Sequence, residues 1–386
     1  MEKGTNILSG KKIGIFNFCL VCLSAFQFMS DIILIKDNSA FVTIKALMEI
    51  VCYFLLLFVI FKKEYTNNNL IVIGIVTCLL TYGMYRSKMS AFVFAWLLIV
   101  ASKGESYKRI IKKIYQSMLI VFLIAILCYI INLDFETFRY QLNEGLTLGF
   151  AQKNQAGLYF AYLFLMKKTW HKSPRKMYRD WLYGILVFCV TKSKTAMIVI
   201  LLFPLIQIVY ENALLKKKKY FLLLTKMLVP IFFVFNFICA KFFLISKLAQ
   251  TLDKIMTNRI FLNWFILTKN KVTLWGQNIQ LNYTGVHNPI RNTWNITTTV
   301  DNAYILSIIV MGIIPTILFA LGYIKVIGVA WKERKVDVLV IAIIIALYGL
   351  SEVKTISIFF NFVYLYINTY HDTGFYNEKR GKINVT

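Results

Sequence analysis

A few charged residues in this sequence invite a chemical reading. Arg86 and Lys88, Arg139 and Lys153, Lys192 and Lys194, Arg259, and Arg291 fall at breaks between long apolar runs. If those breaks open on one side of a helical bundle, the cations can converge into a basic pocket. The matching ligand is then an anion. Arginine suits a phosphate in particular, because its planar fork donates two parallel hydrogen bonds. Scattered contact with anionic lipid headgroups is the other reading. Lys192 and Lys194 favour the pocket, since their turn is too tight to need them for solubility.

Carboxylates on the same side are few: Asp37, Asp134, Glu136, Glu144, Asp253, Asp301 and Glu352. Asp301, in Asp301-Asn302-Ala303-Tyr304, stands where a long polar stretch enters an apolar one. It suits a helix N-cap and also a general base at a pocket mouth. His287, in Gly285-Val286-His287-Asn288-Pro289, is the only histidine on that side, which excludes a multi-histidine metal site there. Seven cysteines lie inside apolar runs. Cys19 and Cys22 have metal-pair spacing, but no second pair or histidine accompanies them, so they read as packing residues. No metal, cofactor or disulfide framework is expected. Lys45 and Glu49, four apart within an apolar run, form either a neutralising pair or a functional site at membrane depth.

The elements that must hold these residues are helices in lipid. Of 386 residues 58% are hydrophobic and 16% charged, with a mean hydropathy of +0.63, whereas soluble domains carry about a quarter charged residues. The apolar runs are continuous and do not alternate, which excludes a barrel. The expected fold class is all-α: one polytopic transmembrane bundle, 1–386, of about 12 helices. They are read at 13–33, 40–61, 70–85, 88–101, 115–132, 150–166, 181–191, 195–211, 220–246, 302–326, 337–350 and 355–370. The first run carries no cleavage site and reads as a span.

Placing the N-terminus in the cytoplasm puts 26 of the 44 basic residues in cytoplasmic segments. That fixes the expected orientation with both termini inside, and it accounts for the net charge of +26 without nucleic acid. Two outer segments exceed a turn, 132–149 and 247–301. The second holds Trp264, Trp275 and Trp294, and its amphipathic stretch at Leu252–Leu267 reads as a short helix on the outer surface.

Four segments, taken in order, resemble the bacterial Wzy-type polysaccharide polymerases, relatives of the O-antigen ligases. They are Leu148-Gly149-Phe150-Ala151-Gln152-Lys153-Asn154 and Thr191-Lys192-Ser193-Lys194-Thr195-Ala196. The third is Asp301-Asn302-Ala303-Tyr304 with Gly312-Ile313-Ile314, after Asn258-Arg259 and Trp275-Gly276. The fourth is Tyr348-Gly349-Leu350-Ser351-Glu352 with Asn361. The resemblance spans roughly residues 70 to 370. It implies joining of oligosaccharide repeat units carried on undecaprenyl diphosphate, at the outer face of a bacterial cytoplasmic membrane, without a metal. Membrane lipid, a chain-length regulator and a flippase of the same pathway are the implied partners.

On that resemblance Arg139, Lys194 and Arg259 would steady the charge building on the leaving diphosphate. Asp301 would take the base's role, where ligase relatives have a histidine. Arg86, Lys153, Asn154, Lys192, Arg291, Asn302, Tyr304, Glu352 and His287 would bind substrate. Lys194 replaces an arginine and loses the bidentate fork. Lys153 stands where proline is common, and the arginine expected before Gly149 is missing, a place Arg139 would fill from upstream. The alternatives are a ligase using another acceptor, or a flippase or transporter with charges along a path through the membrane.

Overall fold

Continuous apolar runs become helices because each helix satisfies its own backbone where no water reaches. The structure is a computed structural model. It describes residues 5–133, 135–170, 177–216, 218–256, 258–279, 282–288, 293–299 and 301–369, with backbone alone for 5–13, 135, 136, 138, 139, 282–288 and 293–299. The first half holds α1 (Thr5–Met29), α2 (Ile33–Lys36), α3 (Ser39–Phe61), α4 (Asn67–Ser87), α5 (Ala91–Ala101), α6 (Tyr107–Ile131), α7 (Phe135–Glu144) and α8 (Lys153–Lys168). Then come α9 (Met177–Thr191), α10 (Lys194–Leu215), α11 (Lys219–Lys241), α12 (Lys247–Ile255), α13 (Arg259–Lys269), α14 (Ala303–Leu306), α15 (Ile313–Lys332) and α16 (Val336–Tyr348).

Among the described residues six helices are long and apolar enough to cross a membrane: α3, α4, α6, α10, α11 and α15. Their outward faces are apolar as well. Phe54, Ile71, Ile120, Leu127, Leu223 and Val234 are each more than half exposed. An apolar belt of that extent belongs in lipid. The chain is therefore a helical membrane protein.

One end of the bundle gathers lysine-rich turns. Lys63 Nζ donates to the carbonyls of Ala101 (2.6 Å) and Lys103 (2.5 Å), and Tyr65 Oη donates to Val100 O at 2.7 Å. Lys168 pairs with Asp180 at 2.7 Å, and Tyr366 Oη donates to Glu333 Oε2 at 2.5 Å. The other end lies beyond the C-terminus of α6, about 37 Å away for a helix of 25 residues. There Ile32 bridges Phe150, and Ile33 N donates to Gly149 O at 3.0 Å.

Several expected boundaries change, each for a physical reason. The run read as a helix at 355–370 forms two 3-10 turns, Val353–Ile356 and Phe362–Ile367. It starts at the Asp31 end and finishes where Asn368 Nδ2 donates to Ile99 O (3.2 Å) and Gly104 N to Asn368 O (3.3 Å). The stretch thus crosses the bundle without being a regular helix. Irregular backbone survives at such depth only when protein surrounds it, and Phe359, Phe360 and Phe362–Tyr366 are all buried. Asn361 Nδ2 also donates to Thr355 O at 3.0 Å.

The run at 302–326 is broken into α14, a π-helical turn Ser307–Met311, and α15, at Gly312. Gly312 has φ +91° and Gly276 φ +83°, and a Cβ on Gly312 would lie 2.2 Å from Gly276 N. The Trp275-Gly276 loop is thereby pressed backbone to backbone against the break. Gln277 N donates to Val310 O at 2.9 Å and Ile313 N to Thr273 O at 3.0 Å. The 132–149 segment contains α7, and the amphipathic stretch at 252–267 is split between α12 and α13. Within 247–301, Asn282–Asn288 and Thr293–Thr299 pair as an antiparallel hairpin, β1 and β2.

Candidate functional site

The four segments quoted above, far apart in sequence, pack together at the end of the bundle where α1 stops. The first two meet at the start of α8. Thr191 Oγ1 donates to Val187 O at 2.8 Å and accepts from Ser193 N at 3.2 Å, while Lys192 between them takes φ +53°. That turn leaves Ser193 against Gly157, where a Cβ would lie 2.5 Å from the serine Cβ. Leu146 N donates to Val190 O at 2.9 Å.

The third and fourth segments lock in the same way. Ala303 N donates to Gly349 O at 2.9 Å, and Tyr304 Oη donates to Ala346 O at 2.6 Å. Asn302 is fully buried. Its Oδ1 accepts from Tyr304 N (3.0 Å) and Ile305 N (3.1 Å), while Nδ2 donates to Asn236 Oδ1 (2.8 Å) and Leu350 O (3.1 Å). The N-cap of α14 is thus Asn302, one residue past Asp301, so the capping reading of Asp301 does not hold. The pairs join through Tyr348, which stacks on Tyr162 with centroids 5.9 Å apart and lies beside Thr195.

Charge collects where these segments meet. Glu352 is buried, and burial pushes its carboxyl up to about 8, with Asp301 and then Asp31 adding to the rise while Arg259 and Lys354 oppose it. Asp31 is 3% exposed; Lys354 Nζ pairs with its Oδ1, and the Tyr159 hydroxyl lies 3.1 Å from its Oδ2 and 3.0 Å from Phe28 O. Arg259 is brought in by a turn. Asn258 takes φ +69°, its N donates to Asp253 O at 3.0 Å, and the buried Asp253 Oδ1 accepts from Phe261 N at 2.9 Å. Asp253 therefore stands in for a cap on α13 and sets Arg259 at its first position.

The structure brings Arg259, Asp301, Glu352, Asn302 and Tyr304 into one neighbourhood. Asn302 and Tyr304 are buried, and their polar side-chain atoms are bonded to protein. Three of the other cations have partners of their own. Lys153 Nζ donates to Glu144 O at 2.5 Å and pairs with Glu144 Oε2 at 3.5 Å. Lys192 lies over the Phe188 ring at 5.9 Å, and Lys88 over Tyr85 at 4.8 Å. Arg86 and Lys194 are exposed and Asn154 is half-buried. Arg139 and His287 have only their backbone described, on α7 and on β1 opposite Trp294, and Arg291 lies outside the described residues.

Sequence reading missed Asp31, Tyr159 and Lys354. Asp31 fell within the expected first span, although α1 ends at Met29. Lys354 stands just before the run expected to form the last helix, 355–370. The signal was their opposite sign at the ends of two apolar runs that face the same side.

Among the described residues no cluster of histidine, cysteine or carboxylate side chains could hold a metal ion. Charge here is carried by side chains. Two cations and three carboxylates at the rim of an apolar bundle can grip an anion, hold a hydroxyl and take a proton. No protein-family model matches the chain, and neither a curated protein nor a solved structure shows significant similarity to it.

Proposed function

We infer that the chain is a membrane glycosyltransferase that polymerises oligosaccharide repeat units carried on polyprenyl diphosphate. It would act at the outer face of a bacterial cytoplasmic membrane, with about twelve traverses and both termini inside. The observation that carries this reading is the meeting of the four segments around Arg259, Asp301, Glu352 and Lys354 at one end of the bundle. That end is opposite the lysine-rich turns, which suit the cytoplasmic side.

In the proposed reaction an acceptor hydroxyl oxygen attacks the anomeric carbon of the growing chain. The bond from that carbon to the diphosphate oxygen breaks, and its electron pair leaves with the diphosphate. Arg259, with Lys354 behind it, offsets the charge that builds there. The hydroxyl proton passes to the Asp301–Glu352 carboxylate pair. Asp301 is half-exposed and meets the hydroxyl, while Glu352 holds the pair's proton deeper in the fold. A carboxyl pushed to about 8 is a stronger base than an ordinary one and is still partly ionised near neutral pH. Arg139 and Arg291 are proposed to complete the diphosphate grip from their loops, with Lys194 and Lys153 at its edge.

Deleting the gene and examining surface polysaccharide tests the reading. Polymerase loss leaves single capped repeat units and no long chains. Free long chains beside undecorated acceptor would make it a ligase, and absence of external repeat units would make it a flippase.

A further inference from the structure

We propose that α12 is an interfacial helix immersed in the outer membrane surface, with Leu248 and Ile255 in the acyl region and Lys247 and Lys254 at the headgroups. At about 100° per residue, its nine residues, with Met256 continuing them, divide into three stripes. Ala249, Asp253 and Met256 form the first, turned into the protein. There Ala249 packs with Cys239, Phe243, Ile260 and Phe261. Lys247, Gln250, Thr251 and Lys254 form the second. Leu248, Leu252 and Ile255 form the third, and no protein covers its outer part: Leu248 is 67% exposed and Ile255 73%.

The apolar stripe continues into the preceding turn, where Phe242, Leu244 and Ile245 are exposed too. Gln250 fixes that turn, its Nε2 donating to Phe243 O (3.2 Å) and Leu244 O (3.0 Å). Two facts select lipid as the occupant. The stripe comes directly after α11, an apolar helix of spanning length that ends at Lys241, so it starts at the level where that span leaves the bilayer. Lysines border the stripe as they border membrane-surface helices, where stems lie along the apolar layer and ammonium groups meet anionic headgroups. Because Asp253 of α12 caps α13, the depth of α12 also sets the height of Arg259 above the membrane. Lipid immersion of α12 is independent of the reaction proposed for the site.

The test uses the full unmodified chain in vesicles of phosphatidylethanolamine and phosphatidylglycerol. An apolar diazirine dissolved in the bilayer should leave adducts on Leu248 and Ile255, while a water-soluble amine reagent modifies Lys247 and Lys254. Water-facing residues without diazirine adducts, or protection from both reagents by a second copy or another protein, would each overturn the proposal. The double variant Leu248→Asp, Ile255→Asp changes only exposed positions. It should lose the adducts on α12 and keep those on α11; adducts persisting on α12 at the wild-type level would also overturn it.

Discussion

The two ends of the bundle carry the same kinds of charged residue and join them over different spans of the chain. At the lysine-rich end the partners are close in sequence. Lys63 reaches the carbonyls of Ala101 and Lys103, 38 and 40 residues on, and Lys168 reaches Asp180, 12 residues on. Those bonds join turns near one another in sequence, and the Lys63 side chain, also paired with Glu105 at 3.8 Å, is 15% exposed. At the other end Lys354 reaches Asp31 across 323 residues. Its Asp31 side chain is 2% exposed, with Glu352 buried beside it. Lysines at the first end tie turns together and give the chain its charge bias. The second end buries Glu352 and crowds Asp301 and Asp31 around it, which pushes its carboxyl up to about 8, an arrangement found chiefly where charge has chemical work.

Breaking the buried pair should show the contrast most strongly. Lys354→Ala leaves Asp31 as an unpaired buried carboxylate beside Glu352, with an expected loss of about 3–5 kcal/mol, read as a fall in thermal or denaturant midpoint in detergent. Adding Asp31→Asn to that variant should restore much of the loss. An unchanged midpoint in Lys354→Ala would mean that the pair is not buried as described.

Glu352 gives a pH signature. In the fold its carboxyl keeps the proton up to about 8, against an ordinary value of 4.5. Between those values the folded chain binds the proton that the unfolded chain has lost. Stability should therefore fall as pH rises across that window, by up to about 1.4 kcal/mol per pH unit. Glu352→Gln should flatten that slope and be the more stable protein near the top of the window, as melting curves across the range would report. A wild-type slope of the opposite sign would contradict the assignment.

Smaller effects sharpen the comparison. Gly312→Ala forces a side chain into φ +91° and against Gly276, a loss of roughly 1–3 kcal/mol from backbone strain with the clash added. Its midpoint should drop more than that of Gly14→Ala, whose Cβ meets nothing within 4 Å. Lys63→Ala, at the opposite end, removes two charged hydrogen bonds and the partner of buried Glu105; it should cost roughly 1.5–3 kcal/mol and leave activity intact.

Hydropathy alone makes the long helices legible in the sequence. They lie close to the continuous apolar runs, because lipid leaves a chain few other ways to satisfy its backbone. Hydropathy does not show where an apolar run stops being a helix. Residues 353–367 are as apolar as a span, yet protein surrounds them, so bonds such as Asn361 to Thr355 replace the helical ladder. The charged site was half legible. Arg259, Asp301 and Glu352 stand out as charges that topology does not require. Asp31 and Lys354 look like ordinary helix ends until the tertiary fold sets them together. The choice of Asn302 over Asp301 as the cap depended on which residue is buried, and local sequence does not encode that.

The most direct test of the account is synthesis by the purified chain in vesicles supplied with polyprenyl-diphosphate-linked repeat units. Polymer length and released polyprenyl diphosphate are measured together for the wild type, Arg259→Ala, Glu352→Gln and Lys63→Ala. The account predicts long polymer and lipid release from the wild type and Lys63→Ala, and neither from Arg259→Ala or Glu352→Gln at wild-type protein levels. Wild-type polymer from both site variants would contradict it.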